Sequence, residues 1–284
     1  MRILVLGASG MLGNAMMRVL GKAESWEVFG TVRSAGVKRF FAENIAARLI
    51  TGCDVENQDS LVSVFAQVKP DVVINCVGLI KQLADAEDPL VAIPINSLLP
   101  HRLAKLCELS GARFVHISTD CVFDGAKGGY HEDDPSNATD LYGRSKFLGE
   151  VDYPHAITLR TSIIGHELDS EHGLIGWFLS QERQCRGFTR AIFSGFPTAV
   201  LAAIIRDRVI PNTELRGLYH VAAQPISKYD LLRTVADVYG KSIDIIADDS
   251  LVIDRSLNAD RFTDATGYRA PPWQILIQTM HDYR

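Results

Sequence analysis

Five nearly continuous apolar runs constrain this chain most: RILVLG from Arg2, EVFGTV from Glu27, DVVINCVG from Asp71, RFVHIST from Arg113 and AITLRTS from Ala156. Each is rich in β-branched residues and lacks the apolar–polar alternation of a strand with one wet face. Each therefore suits a parallel strand buried on both sides. Helical patterns fill the intervals at 11–21, 58–68, 90–110 and 141–151. Strands and helices that alternate through right-handed crossovers build a doubly wound parallel sheet. After about residue 165 the pattern loosens into helices, short strands and loops. The expected organisation is α/β, with a sheet domain over 1–165 and a smaller α/β lobe over 166–284, partly interleaved with it and closing over the C-terminal edge of the sheet.

The first run leads straight into a glycine-rich turn, where Gly7, Gly10 and Gly13 are spaced three apart around Ser9, Met11 and Leu12. Such glycines let the backbone turn tightly and approach a pyrophosphate, while the helix that follows offers unpaired N–H groups and its positive dipole end. The end of the second strand then selects the dinucleotide, since a carboxylate there accepts the ribose hydroxyls of NAD. Here Arg33 and Ser34 follow the strand and no acid does. NADPH is the expected cofactor, its 2′-phosphate paired with Arg33, and NADH is the alternative. Asp54 either accepts from the adenine amino group, with Val55 flanking the ring, or caps the next helix. Cys76, Val77 and Gly78 end the third run where the nicotinamide half passes, and Gly78 permits close backbone approach.

Composition narrows the partners. A net charge of −5 argues against nucleic acid and against an anionic membrane surface. No apolar run approaches the length of a membrane span. The cysteines at 53, 76, 107, 121 and 185 form no CxxC pair, and the histidines show no metal-ligand spacing. A reducing cytoplasm is expected, with neither a disulfide framework nor a metal.

LYGRSKFLGE carries Tyr142 and Lys146 one helical turn apart, and HISTD ends a strand at Ser118 and Thr119. Hydride delivery to a ketone makes an alkoxide that needs a proton at the same time. A tyrosine, with an ordinary pKa of about 10, is a reluctant participant at neutral pH unless its surroundings favour the phenolate. Lys146 is placed to stabilise that charge and Thr119 to orient the carbonyl oxygen.

In order, Gly7/Gly10/Gly13, INCVG, ISTD and YGRSK resemble the extended short-chain dehydrogenase/reductase family over the first 160 residues. ISTDCVFDG, LYGRSKFLGE, LRTSIIG and GLYHVAAQPISKYDLL are similar to its dTDP-4-dehydrorhamnose reductase branch over most of the chain. The resemblance implies a Rossmann-type fold and an NADPH-dependent oxidoreductase. Its substrate would be a nucleotide-diphosphate 4-keto-6-deoxy sugar, reduced at C4 with Tyr142 as proton donor and with Thr119 and Lys146 as its catalytic partners. Lys146 would also hold the nicotinamide ribose. Asn96 would brace the catalytic helix, a role its own sequence position shares with plain core hydrogen bonding. Arg160 and Thr161 would lie beneath the nicotinamide. A cytoplasmic route such as dTDP-rhamnose or surface-polysaccharide biosynthesis is implied, and a homodimer is left open.

Related sugar-nucleotide dehydratases follow the catalytic Thr with an Asp-Glu pair. This chain has Thr119-Asp120-Cys121, so dehydration is not expected. The rhamnose branch usually carries Tyr at the place of Cys121. GDP-fucose synthases carry a Cys there and a His further along, where His172 stands. The alternative is thus a bifunctional epimerase/reductase in which Cys121 and His172 exchange protons α to the carbonyl. Otherwise Cys121 is a small hydrophobe and His172 a loop residue. An alternative from another class is a non-catalytic NADP-binding regulatory subunit, although such relatives typically lose the Tyr or the Lys. Phe123, Arg186 and Arg190 complete the expected substrate side, the two arginines either on the diphosphate or as surface charges.

Overall fold

A computed structural model describes residues 1–79 and 87–284. The chain opens with β1 (Arg2–Leu6), α1 (Met11–Leu20), β2 (Glu27–Val32), α2 (Glu43–Ala46), β3 (Leu49–Thr51), α3 (Gln58–Val68) and β4 (Val72–Asn75). It continues through α4 (Pro89–Ala92), α5 (Leu99–Ser110), β5 (Arg113–Thr119), α6 (Leu141–Leu148) and β6 (Ala156–Thr161). Then come β7 (Ile163–Ile164), α7 (Leu174–Ser180), β8 (Gln184–Phe188), β9 (Ala191–Phe193), β10 (Phe196–Pro197), α8 (Thr198–Ile204) and β11 (Gly217–His220). The last elements are β12 (Ile226–Ser227), α9 (Lys228–Tyr239), β13 (Asp244–Asp248), β14 (Ile253–Asp254), α10 (Asp260–Thr266) and α11 (Trp273–Asp282).

The main sheet has the order β11-β6-β5-β4-β1-β2-β3, and every neighbouring pair is parallel. Its strands are buried from both sides, which is why the runs lack polar alternation. Ile3 and Val5 join an apolar cluster with α1 and α8, while Leu4 and Leu6 join another with α3 and α5. The same division recurs on β4, where Ile74 goes to the first cluster and Val73 to the second. This is the expected Rossmann-type, doubly wound α/β architecture. The strand order reverses between β1 and β4, where Leu6 lies opposite Asn75, and ligands of such sheets bind in the crevice outside that point.

All five apolar runs form strands of this sheet. Its edge strands β3 and β11 are only partly buried, and their less apolar sequences hid them. The helical pattern over 90–110 is interrupted between α4 and α5 by a π-turn, Ile93–Leu98, in which the Leu99 N–H reaches back to the Pro94 carbonyl. Pro94 and Pro100 supply no N–H donors, so the α-ladder cannot run through unbroken. The catalytic-motif helix α6 ends at Leu148 rather than at 151. Gly149 follows it, packed so close to the Asn96 carbonyl that a Cβ would collide.

Beyond β6, Ile164, Ile175, Phe178, Leu231, Val235 and Ile277 form a further apolar cluster. Short pairs flank it: β10 with β7, β13 with β8, and β12 and β14 on either side of β9. A bridge from Tyr130 to Leu257 ties the segment after β5 to these later elements.

Candidate active site at the switch point of the sheet

Gly7 leaves β1 with φ +80°, a conformation glycine adopts freely, and a Cβ there would press on Val77 from the neighbouring strand end. A Cβ at Gly13 would collide with the Gly7 carbonyl. Gly10 donates its N–H to the Gly7 carbonyl at 3.1 Å, and the Asn14 N–H reaches the Gly10 carbonyl at 2.9 Å. The N–H groups of Met11, Leu12 and Gly13 precede that first helical bond. Ser9 and Gly10 are exposed, so the turn presents an open donor set at the positive end of α1. These features fit a pyrophosphate.

Past β2, Arg33 is exposed. The Ser34 hydroxyl accepts from the Gly36 N–H at 3.3 Å and caps a 3-10 turn, Ala35–Phe40. That turn adds Lys38 and Arg39 to the same rim, two cations that the reading of the strand end alone had missed. Arg39 also lies 3.3 Å from Asp169, but both side chains are mostly exposed, so the pair adds little stability. Asp54 is not the cap of α3. Its Oδ1 accepts from the Glu56 N–H at 3.0 Å, while Asn57 caps the helix by accepting from the Ser60 N–H at 3.1 Å. Val55 is half-buried beside it, and Val77 donates its N–H to Asn75 Oδ1 at 3.1 Å. Burial pushes the Cys76 thiol up to about 12, which makes it an inert neighbour.

Three side chains converge above this crevice. Asp140 caps α6 by accepting from the Gly143 N–H at 2.7 Å, which fixes where Tyr142 begins the helix. The Thr119 hydroxyl donates to Asp120 Oδ1 and accepts from the Cys121 N–H, each at 3.1 Å, and it lies near the Tyr142 phenol. Burial raises the Tyr142 phenol well above its ordinary value; the nearby Cys121, Asp120 and Asp140 push the same way, and Thr119 opposes them. At neutral pH this is a phenol with a proton to give. Lys146 is buried and donates to the Ile117 carbonyl at 2.8 Å. Desolvation lowers its ammonium to about 8, with Glu150 and Cys76 acting in the opposite sense.

Gly78 closes the constellation. A Cβ there would lie 3.6 Å from Asn96 Oδ1 and 3.7 Å from Lys146 Nζ, so both groups face its bare backbone. Asn96 accepts from the Leu79 N–H at 3.1 Å and donates to Ser145 Oγ at 3.1 Å, linking that loop to α6. Its place in the π-turn turns it toward the helix.

The expected substrate residues are spread more widely. Cys121 stands beside Tyr142, with Arg255 Nη1 3.8 Å from its sulfur. Phe123 is fully buried, stacked on Tyr130 at 4.1 Å between centroids, so its ring packs the interior rather than facing a substrate. His172 is exposed in the loop ahead of α7. Arg186 is exposed on β8 and 3.4 Å from Asp248, and Arg190 is exposed just beyond that strand. Among the described residues, no hydrogen bond or ion pair links His172, Arg186 or Arg190 to Thr119, Tyr142 or Lys146, and no cluster suited to a metal ion is present.

A buried polar network beneath the site went unread in the sequence. Arg160 grips Glu150 with two hydrogen bonds of 2.7 Å, and Ser118 donates to the same carboxylate at 2.7 Å. His220 Nδ1 faces the Tyr130 carbonyl at 3.0 Å and so carries the proton, leaving Nε2 to accept from Arg160 at 3.3 Å. Burial lowers this imidazole to about 3. The available signal was Glu150, one helical turn past Lys146, together with an arginine inside an otherwise apolar strand.

The RmlD substrate binding domain family matches residues 1–250. This chain belongs to that family. Among curated relatives, methionine adenosyltransferase 2 subunit beta of Danio rerio is 29% identical over 255 residues, covering 84% of this chain and 74% of the relative. A dTDP-4-dehydrorhamnose reductase of Aggregatibacter actinomycetemcomitans is 28% identical over 247 residues, covering 83% of this chain and 78% of the relative. The crystal structure of dTDP-4-dehydrorhamnose reductase from Bacillus anthracis in complex with NADP superposes with a TM-score of 0.81 at 20% identity, over 100% of this chain and 99% of that one. At that identity the shared property is the fold.

Proposed function

We propose that this family member is an NADPH-dependent reductase of a nucleotide-diphosphate 4-keto-6-deoxy sugar. The observation that carries the reading is the Tyr142 phenol, set near Thr119 and one helical turn from the buried Lys146, above a glycine-lined crevice. The reductase names and the NADP complex among its relatives support it. NADPH, when bound, supplies the hydride. The first turn of α1 would hold its pyrophosphate, the Arg33 rim its 2′-phosphate, and Lys146 with Asn96 would face its nicotinamide ribose past Gly78. Tyr142 Oη then gives its proton to the oxygen growing at C4, and Thr119 keeps the phenol aimed. The reading includes a lobe beyond about residue 165 that closes over the substrate, and a cytoplasmic setting. Among the described residues, no helix is long and apolar enough to cross a membrane.

The test is NADPH oxidation against dTDP-, UDP- and GDP-linked 4-keto-6-deoxy sugars, with product stereochemistry read by NMR. Turnover with a dTDP-linked sugar is expected. No turnover with any of them would turn the balance to the second reading, a regulatory subunit, which the relative named as a subunit beta favours. Against it stand Thr119, Tyr142 and Lys146, all three present at the end of β5 and on α6.

The cofactor preference has its own check. NADPH should bind at least about tenfold tighter than NADH, about 1.4 kcal/mol, and Arg33→Ala should remove most of the gap. Equal dissociation constants in the unaltered protein would refute it. The epimerase alternative rests on Cys121 beside the phenol, but His172 is exposed on its loop. Reduction in deuterated water is therefore expected to leave C3 and C5 unlabelled beyond spontaneous exchange. Labelling there that Cys121→Ser suppresses would reinstate the bifunctional reading.

A further inference from the structure

Lys146 is a cation in a poor place for one. It is buried, its ammonium donates to a neutral carbonyl, and no carboxylate hydrogen-bonds it. The groups facing it from neighbouring elements are uncharged. Burial keeps the Cys76 thiol beyond β4 protonated and the His116 imidazole on β5 neutral. Asn96 of the π-turn carries no charge, and Tyr142 on its own helix is held as a phenol. Glu150 is the exception. It lies just past the end of α6, where its carboxylate meets Ser118 of β5, and Lys146 reaches the carbonyl of the adjoining Ile117. Arg160 and Ser118 grip its carboxylate with three hydrogen bonds of 2.7 Å, which hold it in place. The Glu150 carboxylate favours the charged form of Lys146.

We propose that Glu150 is a positioning residue for the reaction: clamped by Arg160 and Ser118, its carboxylate keeps the buried Lys146 ammonium charged beside Tyr142. The inference rests on the reductase reading of the site. A purely structural brace between β5, α6 and β6 would use the same hydrogen bonds, so the deciding measurement is the titration of Lys146 itself.

The test follows the Lys146 side chain by NMR in full-length protein with carbon-labelled lysines, its signal assigned by its absence in Lys146→Arg. In Glu150→Gln the Lys146 midpoint is expected to fall by about one pH unit or more, because a favourable charge has been removed. The basic limb of the kcat profile should move the same way, and Glu150→Asp should keep both near the unaltered values. Glu150→Gln leaves the Arg160 guanidinium buried without its partner, so Glu150→Gln with Arg160→Gln is measured alongside it. A Lys146 midpoint unmoved in the folded variants would overturn the proposal, as would failure of both variants to fold, which would mark a brace only. The titration needs no turnover. A shifted midpoint in a protein without reductase activity would sink the reductase reading alone, and an unmoved midpoint in an active reductase would sink this proposal alone.

Discussion

Tyr142→Phe is expected to lower turnover by about two to four decades, the usual contribution of a positioned acid, while leaving the fold and the affinity for NADPH intact. That range corresponds to about 3–5 kcal/mol of transition-state stabilisation. The substitution removes one hydroxyl from a half-buried ring and adds no volume, so α6 keeps its cap on Asp140 and its packing. Thr119 also keeps its bonds to Asp120 and the Cys121 N–H, so the strand end does not collapse into the space. What disappears is the proton. Burial and the neighbouring Cys121, Asp120 and Asp140 hold that proton on the oxygen until an alkoxide forms beside it, with Thr119 opposing them only in part. Steady-state NADPH oxidation and equilibrium binding of NADPH separate the two effects. Turnover within about threefold of the unaltered protein would reject Tyr142 as the donor and strengthen the regulatory-subunit reading.

How much of this was legible in the sequence depends on what kind of interaction does the work. Interior strands of a parallel sheet are buried on both faces, and their side chains say so. Ile3 through Leu6 could be read as such a strand without any partner in view. The glycine turn was legible for a related reason, since the positive φ of Gly7 and the contacts at Gly13 disfavour any side chain. Legibility ends where partners are distant in sequence. The sequence put Arg160 beneath the nicotinamide and assigned Glu150 no role, and only the fold brings them and His220 into one buried network. Phe123 failed in the opposite direction. It was expected on the substrate side, yet the chain turns inward there and stacks the ring on Tyr130. Asp54 shows how close local choices can be, since Asn57, three residues on, is the residue that caps the helix.

Lys146→Met is expected to stabilise the protein at neutral pH while costing turnover at least two decades, because the charge that serves the chemistry is one the fold would rather not bury. Burial lowers the ammonium from 10.5 to about 8, with Glu150 only partly offsetting the desolvation. Below pH 8 the folded chain must keep a proton in a poorly solvated place, and the full cost applies there. Between about 8 and the unfolded value the unfolded chain binds more protons than the folded one, so stability of the unaltered protein rises with pH across that window. At pH 7 the cost amounts to about 3 kcal/mol at most. Methionine fills nearly the same volume and escapes it, but forfeits the hydrogen bond to the Ile117 carbonyl, worth about 1 kcal/mol. The net gain should be about 1–2 kcal/mol, a rise in Tm of several degrees. Urea titrations at pH 7 and near pH 9.5 test the sign directly, since the advantage of the Met variant should shrink at the higher pH as the unaltered protein sheds its proton. A Met variant less stable at pH 7, or an advantage that does not change with pH, would show that Lys146 is not held as a strained cation.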